Sequence, residues 1–173
     1  VLSHILQPEV VVLAIEDNKP ESIAALKLAL NNTQQTLHTK LIIRVIPTRY
    51  PSGSEKQLIE IITGQQTPQG KHPTDLGIVM HNVWTAFAIK EAIVDGKPLT
   101  SRIVTLTGEA FQEKGNVSVR IGTPIQYLLD KYKLNNQYLQ KLVIGGPMMG
   151  FTISHGDIPV TKTCNCILAA THQ

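Results

Sequence analysis

Three short runs place hydrogen-bonding side chains, or a glycine, where an apolar stretch turns into a helix. They are Glu16-Asp17-Asn18-Lys19-Pro20, Tyr50-Pro51-Ser52-Gly53-Ser54-Glu55-Lys56 and Asn82-Val83-Trp84-Thr85. Their chemistry is that of ligand binding rather than of bond cleavage. Carboxylates such as Glu16 and Asp17 accept hydrogen bonds from polyol or sugar hydroxyls and from ring N–H groups. Gly53 lets the backbone approach a ligand closely, with Glu55 or Lys56 within reach of it. The first amides of a helix lack intrahelical partners and sit at its positive dipole end, which suits a phosphate or a carbonyl. Each run also has a plainer reading. The first is a helix cap in a solvated turn, the second a proline-ordered loop with Tyr50 packed down, and the third an Asn82 cap with Thr85 facing the first turn.

The surrounding pattern supplies the elements that would position these runs. Val10 to Ile15 is β-branched and apolar, hence a strand. Asn18 reads as the N-cap of the next helix, with Glu21 completing a capping box. That helix carries Ile23, Leu26, Leu28 and Leu30 and ends near Asn31-Asn32. Leu41 to Ile46 is a second strand, so strand–helix–strand predicts two parallel neighbours. Ser54, with Gln57 as capping-box partner, opens a second helix that Gly64 closes. Residues 65–74 read as a loop and Leu76 to Met80 as a short strand. Asn82 then starts a third helix with Ala86, Ala88, Ile89, Ala92 and Ile93 inward and Asp95-Gly96 at its end. On this reading all three runs lie at strand carboxyl ends, where open α/β sheets bind ligands.

From about Leu99 the texture changes. Ser101 to Gly108 and Val117 to Ile121 alternate like strands. Thr123 and Pro124 introduce a helix over 125–132, as cap and first residue. Leu142 to Ile144 is a further strand. This is a small α+β pattern, and it places a boundary near residue 98. Gly145-Gly146-Pro147-Met148-Met149-Gly150 lacks phosphate-loop and dinucleotide spacing, and reads as a tight turn with both methionines as core filler.

Composition narrows the function. With 16 basic and 13 acidic residues and no basic run, nucleic-acid binding has no support. No apolar run reaches the length of a membrane span. Cys164 and Cys166 are too few for a closed zinc or iron–sulfur site and do not form a disulfide scaffold, which fits a reducing compartment. His4, His38, His72, His81, His155 and His172 show no metal-ligand spacing, and no nucleophile–base arrangement is legible. The opening Val1-Leu2-Ser3-His4 and the closing Thr171-His172-Gln173 read as cut points of a longer protein.

Taken in order, Ile15 to Pro20, Ile46 to Gly53 with Glu55 to Ile59, Thr63-Gly64, Asn82-Val83 with Thr85-Ala86, Gly145 to Gly150 and Cys166 to Leu168 resemble the C subunit of Rnf (Rsx) ion-translocating electron transport complexes. That family is similar to the flavin-binding subunit of respiratory complex I. The resemblance implies an α/β fold: a partial, Rossmann-like FMN/NADH-binding domain over 1–98, a β-grasp domain of the soluble-ligand-binding type over 99–157, and a connector over 158–173. The connector would lead toward an iron–sulfur segment outside this chain. It implies that Glu16, Asp17 and Asn18 face the flavin ribityl and ring region. Tyr50, Gly53 and Glu55, with Lys56, would line the flavin and nicotinamide pocket, and Asn82, Val83 and Thr85 the flavin phosphate side. Where complex I relatives carry two adjacent glutamates, Ser54-Glu55-Lys56 stands here.

The activity implied is NADH:acceptor oxidoreduction, with FMN, NAD(H) and iron–sulfur clusters as cofactors. The partners implied are the other subunits of a membrane electron transport complex, with ferredoxin or iron–sulfur clusters as the electron partners. The location implied is peripheral, on the cytoplasmic face of the cell membrane. The family's glycine-rich phosphate loop lies outside this chain, so weak FMN binding and an inactive isolated chain are expected. A rival reading keeps the second half as a non-catalytic ligand- or partner-binding module and the first half as scaffold.

Overall fold

A computed structural model describes residues 1–33 and 39–171. His38 and His172 lie outside the described residues. The chain divides into two compact units, Val1–Lys97 and Pro98–Gln173.

The first unit runs α1 (Leu2–Leu6), β1 (Val10–Glu16), α2 (Pro20–Thr33), β2 (Lys40–Ile46), α3 (Glu55–Thr63), a 3₁₀ turn (Pro73–Leu76) and α4 (Val83–Val94). Among the described residues its sheet consists of β1 and β2, paired in parallel from Val10 opposite Lys40 to Glu16 opposite Ile46. Both strands therefore end at the same level, which sets the two loops that follow side by side.

Several boundaries shift from the sequence expectation. Asn18 is not the cap of α2. Lys19 N–H closes a turn onto the Glu16 carbonyl at 3.2 Å, and the Lys19 carbonyl takes the first helical bond, from Ile23. Pro20 then stands at the first helical position, where its missing N–H costs nothing. Ser54 occupies the N-cap of α3, yet its side chain makes no capping bond, so the box with Gln57 does not form; Gly64 closes the helix in the left-handed region as expected. Leu76 to Met80 is not a strand. Pro73 opens a 3₁₀ turn, and Gly77 and Ile78 donate to the Thr74 and Pro73 carbonyls, so local bonds replace a ladder. On α4, Ala88 is buried as expected, with Ala86 and Ile89 half-buried, but Ala92 and Ile93 are exposed. The helix is apolar on nearly all sides, and its inward stripe is Trp84–Ala88–Glu91 at helical spacing.

The second unit contains β3 (Ser101–Thr107), β4 (Gly115–Arg120), α5 (Ile125–Lys131), β5 (Leu139–Ile144), β6 (Phe151–Ile153) and β7 (Cys166–Thr171). The strands form one mixed sheet in the order β4-β3-β7-β5-β6, with β3 and β7 parallel and the other pairs antiparallel. Strand alternation turns Val104 and Leu106 inward with Val119, Ile167 and Ala169. Ile125, Leu128 and Leu129 of α5 close over them, beside Phe111 and Val160. Each large side chain so buried contributes about 1.5–3 kcal/mol.

Here too the structure corrects the expectations. Within the expected connector over 158–173, the described residues include a strand: β7 is the central strand of the sheet, because Ile167 and Ala169 alternate into the core. Thr123 does not cap α5. Pro124 takes the N-cap position, and the amides of Ile125 and Gln126 donate to the Ile158 and Gly156 carbonyls at 3.0 and 2.7 Å. Met148 and Met149 are exposed rather than core filler. Gly150 lies so close to the Ile144 carbonyl that an added Cβ would stand 2.4 Å from its oxygen, and the turn carries both methionines outward.

Candidate functional site

The parallel register makes the site's frame. Beyond Glu16 and Ile46 the chain is tied across: Asp17 N–H donates to the Ile46 carbonyl at 2.9 Å. Thr48 returns two bonds to a single carboxylate oxygen of Asp17, from its amide at 3.0 Å and its hydroxyl at 2.7 Å. The hydroxyl, and then the amide, hold the Asp17 carboxyl below its ordinary pKa. Both bonds fall on Oδ1 and Asp17 is exposed, so the ionised carboxylate keeps acceptor capacity. Glu16 pairs with Lys19 at 3.8 Å, and Asn18 is exposed between them.

The second loop is built by two consecutive turns. Ser52 N–H donates to the Arg49 carbonyl and Ser54 N–H to the Pro51 carbonyl, and Leu58 then bonds to the Ser54 carbonyl to begin α3. Tyr50 is about half exposed rather than packed down. The Ser52 hydroxyl is buried without a hydrogen-bond partner. Gly53 has no atom within 4 Å of where a Cβ would stand, and its φ lies outside the left-handed region. Neither backbone conformation nor internal packing calls for glycine there. Glu55 and Lys56 form the exposed first turn of α3, whose amides receive no side-chain cap.

The third run differs from its expectation. Asn82 does cap its helix, accepting from Trp84 N–H at 2.9 Å. However, no strand precedes it, so it does not lie at a strand end. Val83 and Thr85 are exposed, and the indole N–H of Trp84 is buried without a partner. The structure thus brings the Asp17 and Thr48 loops together through specific bonds, whereas its own cap sets the third helix start. Sequence reasoning did not single out Thr48, Ser52 or Trp84. The signal for Thr48 was its place two residues past a parallel strand, opposite an acidic turn. Nothing in the sequence marked the two buried orphan groups.

Among the described residues no group of three or more His, Cys, Asp or Glu side chains is placed to hold a metal, and no helix is long and apolar enough to cross a membrane. Cys164 and Cys166 are free thiols, and burial pushes both above their ordinary pKa.

Residues 1–91 match the family model of the Nuo51 FMN-binding domain. The C subunit of the ion-translocating oxidoreductase complex of Pectobacterium carotovorum subsp. carotovorum (strain PC1) is 51% identical over 174 residues, covering 99% of this chain and 22% of the relative. Its namesake from Erwinia tasmaniensis is 55% identical over 169 residues, covering 98% of this chain and 20% of that protein. This chain therefore spans about a fifth of those curated relatives. Among solved structures, a chain of an NAD⁺-reducing [NiFe]-hydrogenase in the H2-reduced state superposes with a TM-score of 0.68 at 15% identity. The match covers 92% of this chain and 33% of that one, a likeness of fold.

Proposed function

This chain belongs to the family of the Nuo51 FMN-binding domain. From that premise we propose that it is part of the flavin-carrying subunit of a membrane-associated electron transport complex. That subunit moves electrons between NAD(H) and ferredoxin or iron–sulfur clusters, peripherally on the cytoplasmic face, in contact with other subunits. The clusters belong to a segment outside this chain. The observation that carries the flavin reading is Gly53: a glycine in open space, with no conformational reason for being one, beside an orphaned buried hydroxyl on Ser52. An approaching ligand accounts for both. The mixed sheet of the second unit, with α5 packed on it, supports a β-grasp domain of the soluble-ligand-binding type.

The residues present fit FMN. Asp17, kept ionised and oriented by Thr48, accepts from ribityl hydroxyls or ring N–H groups, with Glu16 and Asn18 beside it. The Gly53 backbone lets the ring plane approach, the Ser52 hydroxyl gains a partner, and exposed Tyr50 supplies an apolar face. The uncapped amides of Glu55 and Lys56 add a positive helix end, and their side chains position the nicotinamide partner. Asn82, Val83 and Thr85 are assigned to the phosphate side. FMN, when bound, supplies the conversion of a two-electron hydride into single electrons, while the chain supplies binding and electrostatics. In this scheme Glu55 positions substrate and transfers no proton.

The test is an FMN titration followed by quenching of flavin fluorescence, on this chain and on a polypeptide of the relatives' full length that carries it. Saturable binding by the longer polypeptide, weakened together by Asp17→Asn and Gly53→Val and weak in this chain alone, is expected. A full-length polypeptide that ignores both substitutions would overturn the site assignment.

A further inference from the structure

Thr48 is the residue of the second loop that reaches into the acidic turn after β1. Pro47 precedes it and Pro51 follows three residues on, and each ring fixes a φ, so the loop presents Thr48 with little backbone freedom. Its amide at 3.0 Å and its hydroxyl at 2.7 Å both donate to Oδ1 of Asp17. Two donors on one oxygen restrict the carboxylate's rotation, and Oδ2 stands outside both bonds.

This tie does more than fasten two loops. The Asp17 amide already donates to the Ile46 carbonyl at 2.9 Å, closing the end of the ladder. Asp17 and Thr48 are both exposed, so water competes for each bond and the pair adds little to stability. What an exposed two-donor clamp supplies is orientation and charge. The Thr48 hydroxyl first, and then its amide, hold the carboxyl below its ordinary pKa against a small opposing effect of burial, with lesser help from the Asn18 and Asp17 amides. The charged side chains of the two loops are Glu16 and Lys19 on the turn of Asp17 itself, and Arg49, Glu55 and Lys56 beyond Thr48. No charged side chain is among the causes of the shift.

Resting on the flavin reading above, we propose that Thr48 is a positioning residue for the ligand: it holds Asp17 as a pre-oriented anionic acceptor for a ribityl hydroxyl or ring N–H. An untied aspartate loses its rotamer freedom when a ligand binds, whereas the tied one has lost it beforehand. Its charge also persists at a pH that would neutralise an untied aspartate, so recognition at this loop pair tolerates acid.

The test is an FMN titration, by quenching of flavin fluorescence, on a polypeptide of the relatives' full length that carries this chain. Each variant is read as its Kd relative to the parent's at the same pH, which cancels the titration of the FMN phosphate. Thr48→Val is expected to weaken binding about three- to tenfold at neutral pH, from lost pre-orientation, and further as pH falls through about 4, where the untied carboxyl protonates. Thr48→Ser should bind as the parent does. In an Asp17→Ala background Thr48→Val should change Kd by less than about twofold, because Thr48 acts through Asp17. Far-UV circular dichroism at each pH separates lost positioning from lost folding. Parent-like binding by Thr48→Val, a loss that stays flat with pH, a loss that serine does not restore, or an equal loss in the Asp17→Ala background overturns the proposal and leaves the flavin reading standing. Absence of saturable FMN binding by the parent overturns the flavin reading, and this proposal with it.

Discussion

Replacing Gly108 with alanine should unfasten the centre of the second unit. Gly108 follows β3 with φ +104°, a region closed to L residues, and the added Cβ would stand 2.1 Å from the Ala169 oxygen and 2.6 Å from its carbonyl carbon. Relieving the oxygen contact alone requires a shift of about 1.2 Å, against an ordinary C···O separation of about 3.3 Å. The atom struck is backbone of the central strand β7, which cannot rotate away as a side chain would. The forbidden φ costs about 1–2 kcal/mol. Loss of the Ala110 N–H bond to that same carbonyl adds about 1 kcal/mol, and overpacking a closed core adds about 1–3 kcal/mol. The sum is at least about 3 kcal/mol, or a fall in Tm on the order of 10 °C for a unit of this size. Thermal unfolding by far-UV circular dichroism measures the total. Amide exchange at Ile167 and Ala169 locates it in β7. A fall in Tm below about 3 °C, with β7 protection unchanged, would refute the packing argument.

Gly53→Ala is the opposite case. With open space and no positive φ, it should leave stability within about 0.5 kcal/mol of the parent by urea unfolding, yet weaken FMN binding in the full-length polypeptide. Thr48→Val should let the Asp17 pKa rise toward its ordinary value in a carboxyl NMR titration, while Thr48→Ser keeps it low. The sign follows from the depression: the Asp17–Thr48 tie is intact above the ordinary carboxylate pKa and is lost as pH falls through the depressed one. An unchanged titration in Thr48→Val would refute the assigned cause. Met149→Gln should change unfolding free energy by less than about 0.5 kcal/mol, whereas Ile167→Ala, at a fully buried position, should cost about 2–5 kcal/mol. Comparable effects would contradict the placement of the two residues.

The sequence alone determined what depends on local periodicity. The β-branched runs of β1 and β2, the alternation of Arg102, Val104 and Leu106 along β3, the Asn82 cap and the Gly64 helix stop were all legible, because side-chain period and backbone preference act over a few residues. The acidic turn after β1 and the Gly53 loop after β2 were legible for the same reason.

Tertiary structure decided whatever depended on a distant partner. It moved the start of α5 to the carbonyls of Gly156 and Ile158, some thirty residues on. It made residues 166–171 the central strand rather than a connector, since pairing choice is not written in a strand's own residues. It turned the Leu76–Met80 run into a 3₁₀ turn and coil, where local hydrogen bonds took the place of a partner strand. It joined Asp17 to Thr48 across 31 positions, a bond that needs the parallel register of β1 and β2 before either side chain is in reach. It also buried Arg102 on the core side of β3 with no ion pair among the described residues, a placement that no spacing in the sequence encodes.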